Sequence, residues 1–225
     1  MVTWRRTTDA QAVAGVVAAP LFVATFSAIG AFESDYDWRR DAVSLLALGR
    51  RGWLQRANFI VTGSLYATSA LALCPFPQQG KQPRAVPWLV AAVGIGLIGS
   101  GVFNTDPVGE YRPNAPSDRA EDASGRLPSG STLEGRLHNL FAIPIFVGIP
   151  IAGLVSAIAA TRDKNYRWAL YSTSSSISMI ANFVLFGMAF GQDSLLSGKG
   201  GLYQRLSIAS GFTWLSALSL RAISS

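Results

Sequence analysis

The side chains able to do chemistry are few, and they recur at the edges of apolar runs. His138 is the one histidine and Cys74 the one cysteine. An imidazole beside a carboxylate can move a proton near neutral pH. Asp106, in the run FNTDP, and His138, in GRLHN, flank a polar stretch whose two ends return to the same place, which makes them the candidate acid–base pair. Asp41 and Ser44, in DAVS, add a carboxylate and a hydroxyl. Ser44, His138 and Asp106 or Asp41 supply the residue types of nucleophile, base and orienting group, although no G-x-S-x-G turn surrounds Ser44. Arg205, Asn58, Asn104 and Gln204 are candidate substrate-binding groups, and Asp106 is a natural ion-pair partner for Arg205 or Arg56. One histidine and one distant cysteine do not make a zinc site, and a haem held by two histidines is excluded for a monomer. No metal and no cofactor is implied. The same residues have a plainer reading, in which aspartate and asparagine cap helix ends and arginine and glutamine anchor to headgroups.

The elements that must position these groups are apolar spans. Hydrophobic residues make up 49% of the chain and charged residues 14%, against about 25% charged in soluble domains. A helix needs about 20 apolar residues to cross the hydrocarbon core. Six segments of the chain reach or approach that length, at about 11–32, 53–74, 85–105, 137–161, 168–192 and 201–220. One such segment could be a buried helix of a soluble protein; six in 225 residues predict an all-α integral membrane protein, a single domain of six transmembrane helices. Arg5 and Arg6 precede the first span as they would a secretory signal, but its apolar run exceeds the usual signal core, so a retained anchor is expected. Pro20, Pro144 and Pro150 lie inside spans, where neighbouring helices must meet the freed carbonyls. Gly94, Gly96, Gly99 and Gly101 give the third span a small-residue face suited to close packing. The hydroxyls of Ser172 to Ser178 can bond back to their own helix.

Charge sets the expected orientation. With both ends of the chain inside, the inner segments hold Arg5, Arg6, Lys81, Arg84, Arg162, Lys164, Arg167 and Arg221 against Asp9 and Asp163, while the eleven remaining basic residues balance eleven acids outside. The inner loops are short and net positive, which favours N-in, C-in; the arginines at 39, 40, 50 and 51 pull the other way. In the first outer loop Asp37 to Arg50 has helical spacing, with Trp38, Ala42, Leu45 and Leu46 on one face, and predicts a short interfacial helix. The second outer loop, 106–136, is long and reads as flexible through Arg112 to Ser131.

These motifs carry a resemblance. DAVSLLALG (Asp41 to Gly49), then WLQRANF, FNTDP, GRLHN and GGLYQRL (Gly200 to Leu206) followed by Trp214 resemble a set of bacterial and archaeal membrane proteins, the family of domain of unknown function 998. The resemblance runs over almost the whole chain and implies six transmembrane helices with no established activity. That family is distantly similar to Frag1/DRAM/Sfk1-type membrane proteins, which act around lipid handling. This is an analogy of fold.

Three functions compete. The first is a multi-pass protein of the cell membrane that binds or acts on a lipid or isoprenoid at an outward-facing polar site. The second is a non-enzymatic scaffold, sensor or accessory subunit, in which the polar cluster only holds helices together. The third, a small transporter, would show a midplane polar site or an internal repeat, and neither is evident. Membrane lipid is the expected partner. No basic stripe interleaved with aromatics suggests nucleic acid, and no oligomeric state is read from the sequence.

Overall fold

The computed structural model describes residues 2–74, 83–108, 131–190 and 195–223, with side chains from residue 8 onward. A helix covers most of each expected span, although α3 stops at Val102 short of the expected 105 and residues 191 and 192 lie outside the described residues; no strand occurs among the described residues. The helices are α1 (Val2–Ala31), α2 (Gly52–Leu73), α3 (Ala85–Val102), α4 (Leu133–Ile143), α5 (Ile149–Arg162), α6 (Tyr166–Phe190) and α7 (Gly200–Ile223). A π-helical segment, Pro144–Gly148, joins α4 to α5 into one rod, and Pro150 follows it in the first turn of α5. A π-bulge shifts the register where prolines deny the helix its ladder.

Five of these rods are long and apolar enough to cross a membrane: Thr8–Ala31, Ala85–Val102, Leu133–Arg162, Tyr166–Phe190 and Gly200–Ile223. Helix α2 has the length, 22 residues, but carries Gln55, Arg56, Asn58, Thr62, Ser64 and Ser69 and is more polar. The distribution of polarity is that of a helical membrane protein. Ile95, Ile158, Leu170 and Ile177 face outward, while Thr62, Ser69, Ser172, Ser207 and Ser219 are buried. Water would drive the opposite arrangement; hydrocarbon solvates the aliphatic surface and sends hydroxyls inward to find partners.

The rods close a ring in the order α1, α2, α3, α4–α5, α6, α7, with α7 packed back on α1. Phe22, Phe59, Tyr66 and Phe212 fill its centre, with ring centroids 5.2–5.5 Å apart. The glycines of α3 serve two faces. A Cβ on Gly94 would sit 2.7 Å from backbone atoms of Gly63 and Ala67 on α2, and one on Gly96 would sit 2.5 Å from the Phe141 carbonyl on α4. Pro20 removes the donor that would have met the Val16 carbonyl, and Ser216 Oγ of α7 donates to that carbonyl at 3.1 Å. The serine run of α6 behaves differently from the expectation of back-bonding. Ser176 bonds its own helix, but Ser175 donates to the Ser210 carbonyl, Ser178 pairs with the Ser210 hydroxyl, and Ser172 accepts from Trp214 Nε1, all on α7.

The loop between α1 and α2, expected as the first outer loop, corrects the expected interfacial helix. It forms only a 3₁₀ turn, Val43–Leu48, with Val43, Leu45, Leu46 and Ala47 buried. The turn is tucked into the end of the ring, because α7 meets its backbone polar groups and so removes the cost of burying them. The expected flexible loop lies largely outside the described residues, but both of its ends are described.

Candidate functional site

The sequence-predicted polar residues form three groups at one end of the ring, with Gln204 shared between the first and the third. The first staples the loop between α1 and α2 to α7. Gly201 and Leu202 donate their backbone N–H groups to the carbonyls of Arg40 and Arg39 at 2.9 and 2.8 Å. Gln204 Oε1 accepts the Val43 N–H at 2.6 Å, which caps the 3₁₀ turn. Arg205 donates to the carbonyls of Trp38 (2.6 Å), Gly201 (3.0 Å) and Asp41 (3.2 Å), and to the Tyr36 hydroxyl (2.6 Å). Its guanidinium also lies 5.5 Å from the ring centroids of Phe26 and Tyr36. Burial pushes the Tyr36 phenol up to about 12, the Arg205 charge only partly opposing this. The Asp41 carboxylate is buried, paired with Arg40 at 2.8 Å and bonded to the Asp37 N–H.

The second group ties α3 to α4. Asp106 accepts from the Thr132 backbone N–H at 2.9 Å and from its hydroxyl at 2.6 Å, and Thr132 Oγ1 in turn accepts the Gly135 N–H at 3.0 Å. This is an N-cap held in place by a carboxylate. The expected pair of Asp106 with Arg205 or Arg56 does not form: Arg205 is committed as above, and Arg56 donates to the carbonyls of Gly101 and Val102 at 2.9 and 3.0 Å. These are among the orphan carbonyls at the end of α3. Asn58 donates to the Phe22 carbonyl at 3.1 Å, and Asn104 lies beside this end of α3 with its Oδ1 buried and unpartnered among the described residues.

The third group surrounds a cavity of about 290 Å³ inside the ring. His138, Ser44, Ser100, Asn139 and Gln204 line it near the helix ends that bear the 3₁₀ turn, and Leu97, Ile145, Phe146, Ile208 and Phe212 line it deeper in the ring. His138 is buried on α4, and its Nδ1 lies 3.0 Å from the carbonyls of both Ser100 and Phe103. Carbonyls only accept, so Nδ1 carries the proton, and in the neutral imidazole Nε2 is the acceptor atom. Ser100 is buried, and its Oγ has no partner among the described residues. The cavity has a side. Helix α4 packs on α3 but not on α6 or α7, and the rod reaches α6 only from the π-segment onward. Ile143 and Val147 therefore line the cavity while remaining 52% and 47% exposed. Phe183 and Phe186 of α6 form the facing wall.

The cavity thus brings together His138, Ser44 and Gln204 of the predicted set, while Asp106, Asp41, Arg205, Asn58 and Asn104 lie outside its lining. Ser100 is the residue that sequence reasoning passed over. Its signal was present: within AVPWLVAAVGIGLIGSGV it is the only hydroxyl. No group of three or more histidine, cysteine, aspartate or glutamate side chains comes together among the described residues.

No curated protein and no solved structure matches the chain. A family model described as "Protein of unknown function (DUF998)" matches residues 16–221, spanning every motif on which the resemblance rested, and the chain belongs to that family.

Proposed function

We propose that this protein is a six-span protein of the cell membrane, with α1 entering from the cytoplasm and α7 returning to it, that holds the head of a lipid or isoprenoid in the cavity beneath its outer face. The observation that carries this reading is the shape and chemistry of the cavity: hydrogen-bonding groups at its outer end, aromatic and aliphatic walls below, and a side formed by half-exposed Ile143 and Val147. In a bilayer that side faces acyl chains. A volume of about 290 Å³ is at the small end for ligand pockets, which run roughly 300–1,000 Å³; it suits a head and the first part of a chain, with the remainder lying against α6. The scaffold reading is favoured by a separate fact, that Arg205, Gln204 and Asp106 are all engaged in joining elements.

Native mass spectrometry of the protein released from gentle detergent separates the two. Wild type should retain one amphiphile per chain, and Ile143→Trp, which enlarges an already exposed side chain at the mouth, should lose it with an unchanged melting temperature. Absence of any retained amphiphile in wild type, or retention undiminished in Ile143→Trp, would leave the scaffold reading standing.

A further inference from the structure

The cavity's polar end contains no charge. Among its lining residues there is no lysine, arginine, aspartate or glutamate. Two arginines close in sequence to its walls are spent elsewhere, Arg56 on the carbonyls of Gly101 and Val102 and Arg205 on the loop between α1 and α2, while Arg136, two residues before His138, is exposed and is not among the lining residues. What the end does contain is complementary in a specific way. Ser100 is 2% exposed, and its Oγ is buried without a partner among the described residues. From the neighbouring helix α4, His138 Nδ1 donates to the Ser100 carbonyl at 3.0 Å, which commits that nitrogen as the donor and leaves Nε2 as the acceptor in the neutral ring. Ser100 and His138 therefore line the same chamber, the first with an unpartnered hydroxyl among the described residues and the second with Nε2 as the acceptor atom of its neutral ring. A hydroxyl group is the simplest head that satisfies both, accepting from Ser100 and donating to His138.

We infer that the ligand class of this site is an uncharged long-chain alcohol, its hydroxyl bonded between Ser100 and His138 and its chain leaving past Ile143 and Val147 toward the bilayer. The inference rests on the amphiphile reading above and narrows it. A phosphate or carboxylate head would meet no lysine or arginine in the lining, and an ammonium head no carboxylate; an unpaired charge buried there costs far more than a hydroxyl with two partners.

The test uses full-length protein in nanodiscs of uncharged lipid and three photoactivatable probes sharing one alkyl chain: the alcohol, its phosphate monoester and the corresponding carboxylic acid. The alcohol should label peptides containing Ile143 or Phe183 saturably, with at least about tenfold preference over both anions. Ser100→Ala removes a group that supports nothing in the fold, so it should keep the wild-type melting temperature while weakening alcohol labelling about three- to tenfold, the worth of one neutral hydrogen bond. Anionic probes that label the same peptides as well as the alcohol would overturn the uncharged-head inference and leave the amphiphile reading intact. Saturable labelling at neither peptide by any of the three would overturn both. Wild-type alcohol affinity in Ser100→Ala would overturn the assignment of the hydroxyl to this end of the cavity.

Discussion

Arg205 and Tyr36 do at residue scale what their types did not announce. Arginine at a helix start suggested a headgroup anchor or a substrate clamp; here its fork is filled by three carbonyls and a phenol. Tyr36 donates toward the carbonyls of Asp41 and Ala42, each at 3.1 Å, and burial holds its phenol near 12 against an ordinary 10. The sign follows from linkage. Between those values the folded state keeps a proton that the unfolded chain has released, so stability present below pH 10 is lost as the pH rises toward 12. The melting temperature of wild type should therefore fall more steeply than that of Tyr36→Phe over this interval. At pH 7 the variant should be less stable by about 1–2 kcal/mol, because the Arg205 donor loses its acceptor; parallel melting curves across pH 8–12 would contradict this. None of these partners was legible in the sequence. Gln204 meets Val43 across 161 residues, and only the closed ring decides that they are neighbours. What was legible is that polar residues at span edges have a duty. Which duty each one had depended on contacts that periodicity does not encode.

Helices are where the sequence spoke most clearly, and for a physical reason. A bilayer demands long uninterrupted apolar runs whose backbone is satisfied within the segment, so composition alone marks them. Their ends were harder to read. Helix α4 begins at Leu133, ahead of the apolar run, because Glu134 and Arg136 can ride on a first turn already capped by Thr132 and Asp106. The 3₁₀ turn was read as a longer amphipathic helix because a short buried turn and a surface helix share the same few apolar residues. The glycine face of α3 was legible as small, but its division between α2 and α4 was not. This division makes a contrast at element scale. Gly94→Ala drives a methyl group into the α2 backbone and should cost about 1–3 kcal/mol, as overpacking does. Gly187→Ala, in α6 with nothing within 4 Å of the new methyl, should instead gain about 0.5–1 kcal/mol through helix propensity. Thermal unfolding in detergent measures both, and equal effects would contradict the close crossing of α2 and α3.

For the whole molecule the open quantity is direction. The end of the ring that bears Cys74 also bears Arg84, Arg162 and Arg167, whereas the cavity, the 3₁₀ turn and the Asp106 cap share the opposite end. The proposed orientation makes Cys74, exposed and the only cysteine, a ready-made reporter. An impermeant maleimide should label Cys74 only after cells are permeabilised, while Thr132→Cys in a Cys74→Ser background should react from outside. The reverse pattern would invert the molecule and turn the cavity toward the cytoplasm. Exposed aliphatic side chains and buried serines are indifferent to this choice, which is why hydropathy alone does not make it.

The staple between the first outer loop and α7 also dictates an order of events during synthesis. Val43 finds Gln204 across 161 residues, and Trp38 finds Arg205 across 167. At ribosomal speeds of about 5–20 residues per second the loop therefore waits on the order of ten to thirty seconds, the Trp38, Arg39 and Arg40 carbonyls without their α7 partners and its 3₁₀ turn without a cap. Newly inserted α1 and α2 thus spend that interval as an unfinished pair with an open seam. The last helix, α7, both closes the ring against α1 and supplies the partners that seat the loop. Chains stalled before Gly200 would present that uncapped loop to the cell's membrane proteases.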